Sequence, residues 1–290
     1  MSLPQWVEFF DELQNVRGRS LNTVMAYRRD LELYVAFKKT SSNIQAFYHF
    51  MKEQGLSERS QARVISSLRT YFKFCEDRGM KSPELRELKL PKVKNKLPDV
   101  LTKGEFDSLF ESCKAEDPFR SARNQMTLLM LFGSGCRVSE LIGLDLKDFN
   151  ETESYLIITG KGNKQRAVPL TEHLKSELKI YLEQIRPKIL KENTQSIFIN
   201  DRGNRPSRVD IWRWLSSWSK KAGLKQAVSP HQFRHGCATA LLESGADLRS
   251  IQLLLGHSSL QTTQIYTTVT SNKLAQTVED HHPLSTIKDI

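Results

Sequence analysis

Apolar residues recur every three or four positions through most of the chain and alternate clearly in one place. In the N-terminal third, Trp6, Phe9, Phe10 and Leu13 form one helical stripe, and Val24, Tyr27, Leu31, Tyr34 and Val35 form another. Ser20 and Asn22 are cap candidates for the second helix. A third helix is expected from Ile44 to Lys52, ended by Gly55, and a fourth from about Ser60 through Val64, Leu68, Tyr71, Phe72 and Cys75 to Gly79. KLPKVKNKLPDVLT, residues 89–102, then breaks the rhythm with two prolines and repeated lysines, the composition of an extended basic linker. Such a linker either follows a polyanionic partner or serves as a solvated hinge.

Beyond it, Thr102 and Glu105 stand as a capping box before Phe106, Leu109 and Phe110. A strongly apolar helix, Met126 to Phe132, stops at Gly133-Ser134-Gly135. YLIITGKGNKQRAVPL, residues 155–170, reads as a hairpin around Gly160-Lys161-Gly162-Asn163, and SIFI, residues 196–199, as a third strand. Everything after Asp210 reads as helix. The expected fold is mainly α with a small antiparallel β-sheet. A helical domain over 1–88, a linker over 89–101 and a mixed α/β domain over 102–290 describe its organisation.

Composition narrows the class. With 290 residues, 39% hydrophobic and 26% charged, the chain is of globular type. No apolar run approaches the ~20 residues of a membrane span. The first residues, MSLPQWVEFFDELQ, lack the pattern of a signal peptide, so a cytoplasmic location is expected. The cysteines Cys75, Cys113, Cys136 and Cys237 form no CxxC pair, which argues for reduced thiols over zinc or disulfides. A net charge of +10 favours a polyanionic partner, and the N-terminal third is the more basic part per residue.

Polar groups gather at helix starts and turns. Arg137 opens RVSELIGL after Gly133-Ser134-Gly135, where a helix N-terminus attracts anions. The alternative is a surface arginine paired with Glu140. Lys161 lies at the hairpin tip between two glycines, either offered to a ligand or simply solvated. In SPHQFRHGCATALLESG, Ser229 caps, Pro230 takes the first helical position and Gln232 completes a box. His231 and Arg234 then share one face of the first turn. His231 and His235 are spaced like a zinc pair, but the HExxH glutamate and a third ligand are missing, so no metal is expected. The helix ends at Gly245. Asp247 caps the next, whose apolar face (Leu248, Ile251, Leu254, Leu255) stops at Gly256. His257 falls in that break, and Ser258 or Ser259 restarts a helix leading to Tyr266, which is either a packed amphipathic aromatic or a nucleophile.

GCRVSEL, GKGNKQRAVPL, HQFRH and LLGHSSLQTTQIYT, in this order, resemble the tyrosine site-specific recombinases of the phage-integrase type, and within them the Xer group of chromosome-dimer resolvases. RSLNTVMAYRRDL resembles the start of that family's core-binding domain, so the likeness spans almost the whole chain. The resemblance implies that Arg137 and Arg234 bind the scissile phosphate and Lys161 is the hairpin lysine. It makes His231 the first histidine, His257 the second histidine-or-tryptophan position, Tyr266 the nucleophile and Glu140 a supporting acid. Cys136 before the first arginine and Gly236 after HQFRH depart from the usual pattern without removing a catalytic group.

The chemistry fits these residue types. A phenol has an ordinary pKa of about 10, so ionising it at pH 7 costs roughly 4 kcal/mol. Guanidinium forks neutralise the phosphate, Lys161 can protonate the departing 5′-oxygen, and His231 can accept the phenol's proton, leaving His257 to the phosphate. A 3′-phosphotyrosyl link retains the energy of the broken ester, so no ATP, metal or other cofactor is expected. The resemblance further implies specific double-stranded DNA sites and a tetramer of identical or paralogous protomers working through a Holliday junction. It also implies a nucleoid setting, possible activation by a septum-linked DNA translocase, and a C-terminal segment of about 271–290 that docks on a neighbouring protomer. Other readings are a phage or mobile-element integrase, a type IB topoisomerase, or a non-catalytic DNA-binding protein.

Overall fold

The structure, a computed structural model, describes residues 5–39, 43–82, 84–91, 100–256 and 268–286. The chain divides into two compact units, Met1–Leu97 and Pro98–Ile290. Both are mainly helical, and the second carries a three-stranded antiparallel sheet.

The N-terminal unit is built from α1 (Trp6–Asp11, continued by a wide π-turn over Glu12–Val16), α2 (Leu21–Lys38), α3 (Ile44–Glu53), α4 (Glu58–Glu76) and the short α5 (Glu84–Glu87). Ser20 is the residue that caps α2, its Oγ accepting the Thr23 N–H at 3.3 Å. Ser57 caps α4 in the same way, so that helix begins slightly earlier than periodicity alone suggests. The core is aromatic: Phe9 meets the edges of Tyr71 and Phe74 at 5.2 and 5.1 Å, and Tyr34 meets Phe47 at 5.1 Å. Burying each such ring contributes about 1.5–3 kcal/mol, enough to hold a small helical unit together. The linker proposed from the sequence lies mostly outside the described residues.

In the C-terminal unit α6 (Lys103–Ser112) starts with the expected box, Thr102 Oγ accepting the Glu105 N–H at 3.2 Å while Glu105 accepts the Thr102 N–H at 3.0 Å. Next come α7 (Pro118–Gly133), α8 (Val138–Gly143), β1 (Phe149–Asn150), β2 (Tyr155–Thr159) and β3 (Gln165–Pro169). The hairpin is present, with Ile158 opposite Arg166 and Leu156 opposite Val168. The expectation of a strand over 196–199 is corrected. The third strand is Phe149–Asn150, paired with Tyr155 and Leu156, and Ser196 makes a single bridge to Asp145. Ile197, Phe198 and Ile199 are fully buried but follow that bridge as a bend, and a buried apolar run carries the same pattern whether or not it joins a ladder.

The remaining helices are α9 (Glu172–Ile180, with a π-turn over Tyr181–Ile185), α10 (Arg186–Ile189), α11 (Arg208–Lys221), α12 (Pro230–Glu243), α13 (Leu248–Leu255) and α14 (Thr268–His281). Leu248, expected on the buried face of α13, is exposed; Ile251, Leu254 and Leu255 carry the packing. The C-terminal segment is seated on its own unit. Leu274, Val278 and Leu284 join the core, and His282 is buried edge-on to Phe132 at 5.8 Å. Burial pushes the His282 imidazole down to about 4. Among the described residues no helix is long and apolar enough to cross a membrane.

Candidate active site

The site is assembled where α8, the hairpin and the ends of α7, α12 and α13 converge. Gly133-Ser134-Gly135 ends α7, and Gly135 takes a φ of +55°, which reverses the chain and turns its carbonyl toward α12. The positive φ favours glycine, and a Cβ there would also lie 2.7 Å from Leu255 Cδ2 and force that side chain to shift.

Arg137 is the N-cap of α8, with Glu140 three residues on at the third helical position. Glu140 Oε2 accepts the Arg137 N–H and its Oε1 accepts from the Arg137 guanidinium, both at 2.8 Å. The two sequence readings of Arg137 are therefore compatible. One side of the fork is held by Glu140, while the side chain as a whole is 38% exposed and can still reach a ligand.

Arg234 lies one turn into α12 and is buried. Its Nη1 donates to Gly135 O at 2.9 Å and its Nη2 to Leu255 O. These are two of a guanidinium's five N–H donors, and Arg234 has no carboxylate partner among the described residues. Burial, with Arg137 and Arg166 as like-charged neighbours, lowers its pKa to about 10, so it remains a cation at neutral pH. A buried cation held by carbonyls and without an ion-pair partner keeps donors that can bind an anion's oxygens.

Arg166 was not singled out by any motif. It stands on β3, buried, and forms a two-pronged pair with Glu140 at 3.1 and 2.8 Å while its Nε donates to Leu254 O at 2.9 Å. A signal for it exists in the sequence. In QRAVP the alternation puts Arg166 on the same face as Val168, which packs inward opposite Leu156. Burial alone would raise the Glu140 carboxyl, but Arg166 and Arg137 outweigh it and hold it below the ordinary range. Arg137 and Arg166 thus share one carboxylate.

His231 is exposed on the first turn of α12 and makes no hydrogen bond among the described residues, so the structure leaves it beside Arg234 in sequence without tying the two together. The Ser229–Gln232 box that starts this helix is present at 2.8 Å. Lys161 sits in the short helical turn Lys161–Asn163 at the hairpin tip. His257 and Tyr266 lie outside the described residues. Cys136 and Cys237 are buried beside the arginines, and burial pushes their thiols up to about 11 and about 12. Among the described residues no cluster of His, Cys, Asp or Glu could hold a metal ion.

The N-terminal unit has a basic feature of its own. A cavity of about 410 Å³ is lined by Arg17, Arg19, Arg69 and Lys73 with Tyr27 and Thr70. Arg17 is neutralised by Glu12 at 2.5 Å and Arg69 donates to Leu88 O, whereas Arg19 and Lys73 have no ion-pair partner among the described residues.

Residues 99–273 match the phage integrase family and residues 7–79 the phage integrase N-terminal SAM-like domain; the chain belongs to this family of tyrosine recombinases. Among curated relatives it is 38% identical to the tyrosine recombinase XerD of Staphylococcus saprophyticus, over 95% of this chain and 97% of that one. It is 36% identical to XerD of Oceanobacillus iheyensis with the same coverage. The solved XerH site-specific recombinase bound to a palindromic difH substrate is 25% identical, covers 91% of this chain and 81% of its own, and superposes with a TM-score of 0.66. A lambda integrase dimer bound to a COC′ core site shares the fold at 19% identity and a TM-score of 0.67, over 91% and 100% of the two chains.

Proposed function

We propose that Tyr266 attacks a DNA phosphodiester held by Arg137 and Arg234, forming a 3′-phosphotyrosyl link and releasing the 5′-oxygen. The observation that carries this reading is Arg234: a buried guanidinium bound to the Gly135 and Leu255 carbonyls with no ion-pair partner among the described residues. As the bond to phosphorus forms, His231 takes the phenol's proton and Lys161 gives one to the departing 5′-oxygen. His257 donates to a non-bridging oxygen. Losing one preorganised donor at such a site costs about 100- to 1000-fold in rate.

By likeness to XerD, the chain would act at specific chromosomal sites and resolve chromosome dimers, in the cytoplasm and on the nucleoid. Four protomers, identical or paralogous, would exchange strands pairwise, with a septum-linked translocase as a candidate activator. The 38% identity to XerD across nearly the whole chain favours this over a mobile-element integrase. Domains over 1–88 and 102–290 joined by a basic linker would let the N-terminal unit grip phosphates through Arg19 and Lys73.

The deciding experiment is covalent trapping. The protein is incubated with nicked fragments of host chromosomal DNA, adducts are recovered, and the attachment points on peptide and DNA are mapped. Adducts at Tyr266 are expected, absent for Tyr266→Phe. Specific binding with no adduct under any assembly condition would remove the catalytic reading.

A further inference from the structure

We propose that Arg166 is a positioning residue for the phosphate-binding pair, aligning Arg137 through Glu140 and Arg234 through the end of α13; the proposal rests on the reading of those two arginines given above. Glu140 has two oxygens and each is shared. Oε1 accepts from Arg137 Nη1 at 2.8 Å and from Arg166 Nη1 at 3.1 Å. Oε2 accepts the Arg137 backbone N–H and Arg166 Nη2, both at 2.8 Å. The carboxylate cannot rotate without breaking bonds to both arginines at once. Arg137, more than a third exposed, would otherwise sample many rotamers and lose side-chain entropy on meeting a phosphate.

The other half of the linkage runs through successive carbonyls. Arg166 Nε donates to Leu254 O, and Arg234 Nη2 donates to Leu255 O. The last turn of α13 is thus a shared rail for two guanidiniums, one from the sheet and one from α12. The fit around Arg166 leaves it little freedom. Gly256, at φ +66°, presses against it so closely that a Cβ there would stand 2.9 Å from Arg166 Cδ and 3.1 Å from Nε. At Gly160, beside Lys161, a Cβ would stand 3.3 Å from Glu140 Oε1.

Stability alone is a weak reason to keep such a cation. Burying a charged pair takes both ions out of water, and an apolar replacement is often no worse. Here a third guanidinium also adds repulsion to Arg137 and Arg234. What the arrangement supplies is geometry, and a misplacement of about 1 Å at a reacting centre can cost on the order of 100-fold.

The test compares two versions of one nicked synthetic duplex carrying the site recovered by adduct mapping. One has the natural phosphodiester at the scissile position, and the other a neutral methylphosphonate, which no longer needs its charge neutralised. Single-turnover adduct formation is measured for wild type, Arg166→Gln and Arg166→Lys, with melting temperatures alongside. Arg166→Gln is expected to lose about 100-fold relative to wild type on the phosphodiester and to recover most of that deficit on the methylphosphonate. Arg166→Lys, which keeps the charge but not the fork, should fall between. If Arg166→Gln does not fold, the same comparison on Arg166→Lys decides. An equal deficit on both substrates, or none on either, overturns the positioning role while leaving Tyr266 chemistry intact. A wild type that forms no adduct on either substrate overturns both.

Discussion

Asp30 in one unit and Glu140 in the other are both carboxylates buried against arginine, and the two end in opposite states. Asp30 in the N-terminal unit accepts from Ser67 at 2.7 Å and from Arg63, whose side chain is half exposed. Burial wins there, and the Asp30 carboxyl is raised above its ordinary value of 3.8. Glu140 in the C-terminal unit is just as buried, but Arg166 is buried with it and Arg137 adds a second cation, so its carboxyl is lowered below 4.5. A cation left in water is screened, whereas one desolvated alongside its partner acts at nearly full strength. The N-terminal unit places its charge mainly at the surface around an aromatic interior. The C-terminal unit spends stability to fix charge inside.

The strongest way to break this comparison is Glu140→Gln. It leaves Arg166 buried with no ion-pair partner and should cost about 3–5 kcal/mol in denaturant unfolding. Its acid limb should change too. A lowered carboxyl contributes stability that is complete above about pH 4.5 and is lost as pH falls through the folded-state value, so the variant should unfold with a flatter acid dependence.

Asp30→Asn should be milder, about 1 kcal/mol, because Arg63 can return to water. Its pH signature has the opposite sign. A raised carboxyl costs stability as pH rises through the window above 3.8, and the asparagine variant should lose that slope. If both variants show the same acid limb, the contrast fails.

The smallest effect is expected at the surface. Arg19→Ala and Lys73→Ala should each weaken DNA binding and lower the slope of log affinity against log salt by about 1, leaving the adduct rate at saturating protein unchanged. A rate loss at saturation would mean these cations do more than attract.

Much of the fold was legible because its signals are local. Thr102-x-x-Glu105 specifies its own hydrogen bonds, and Gly160-Lys161-Gly162-Asn163 specifies a reversal between two β-prone runs. β1 was not legible: a two-residue strand at Phe149–Asn150 exists because Tyr155 and Leu156 pair with it. The likeness of GCRVSEL and HQFRH to known motifs pointed to Arg137 and Arg234, and the structure brings the ends of their segments together through Gly135 O. Arg166 escaped because an arginine in a hairpin ordinarily faces water. Its meaning came from Glu140 and Leu254, which lie 26 and 88 residues away in sequence.

The buried cysteines carry a practical consequence. All four thiols are enclosed, and those of Cys113, Cys136 and Cys237 are pushed to about 11 or 12, where almost no thiolate exists at neutral pH. A maleimide dye therefore has little native sulfur to find. One cysteine added at an exposed position of α4 becomes an optical handle for following DNA binding in real time, with the natural background left untouched.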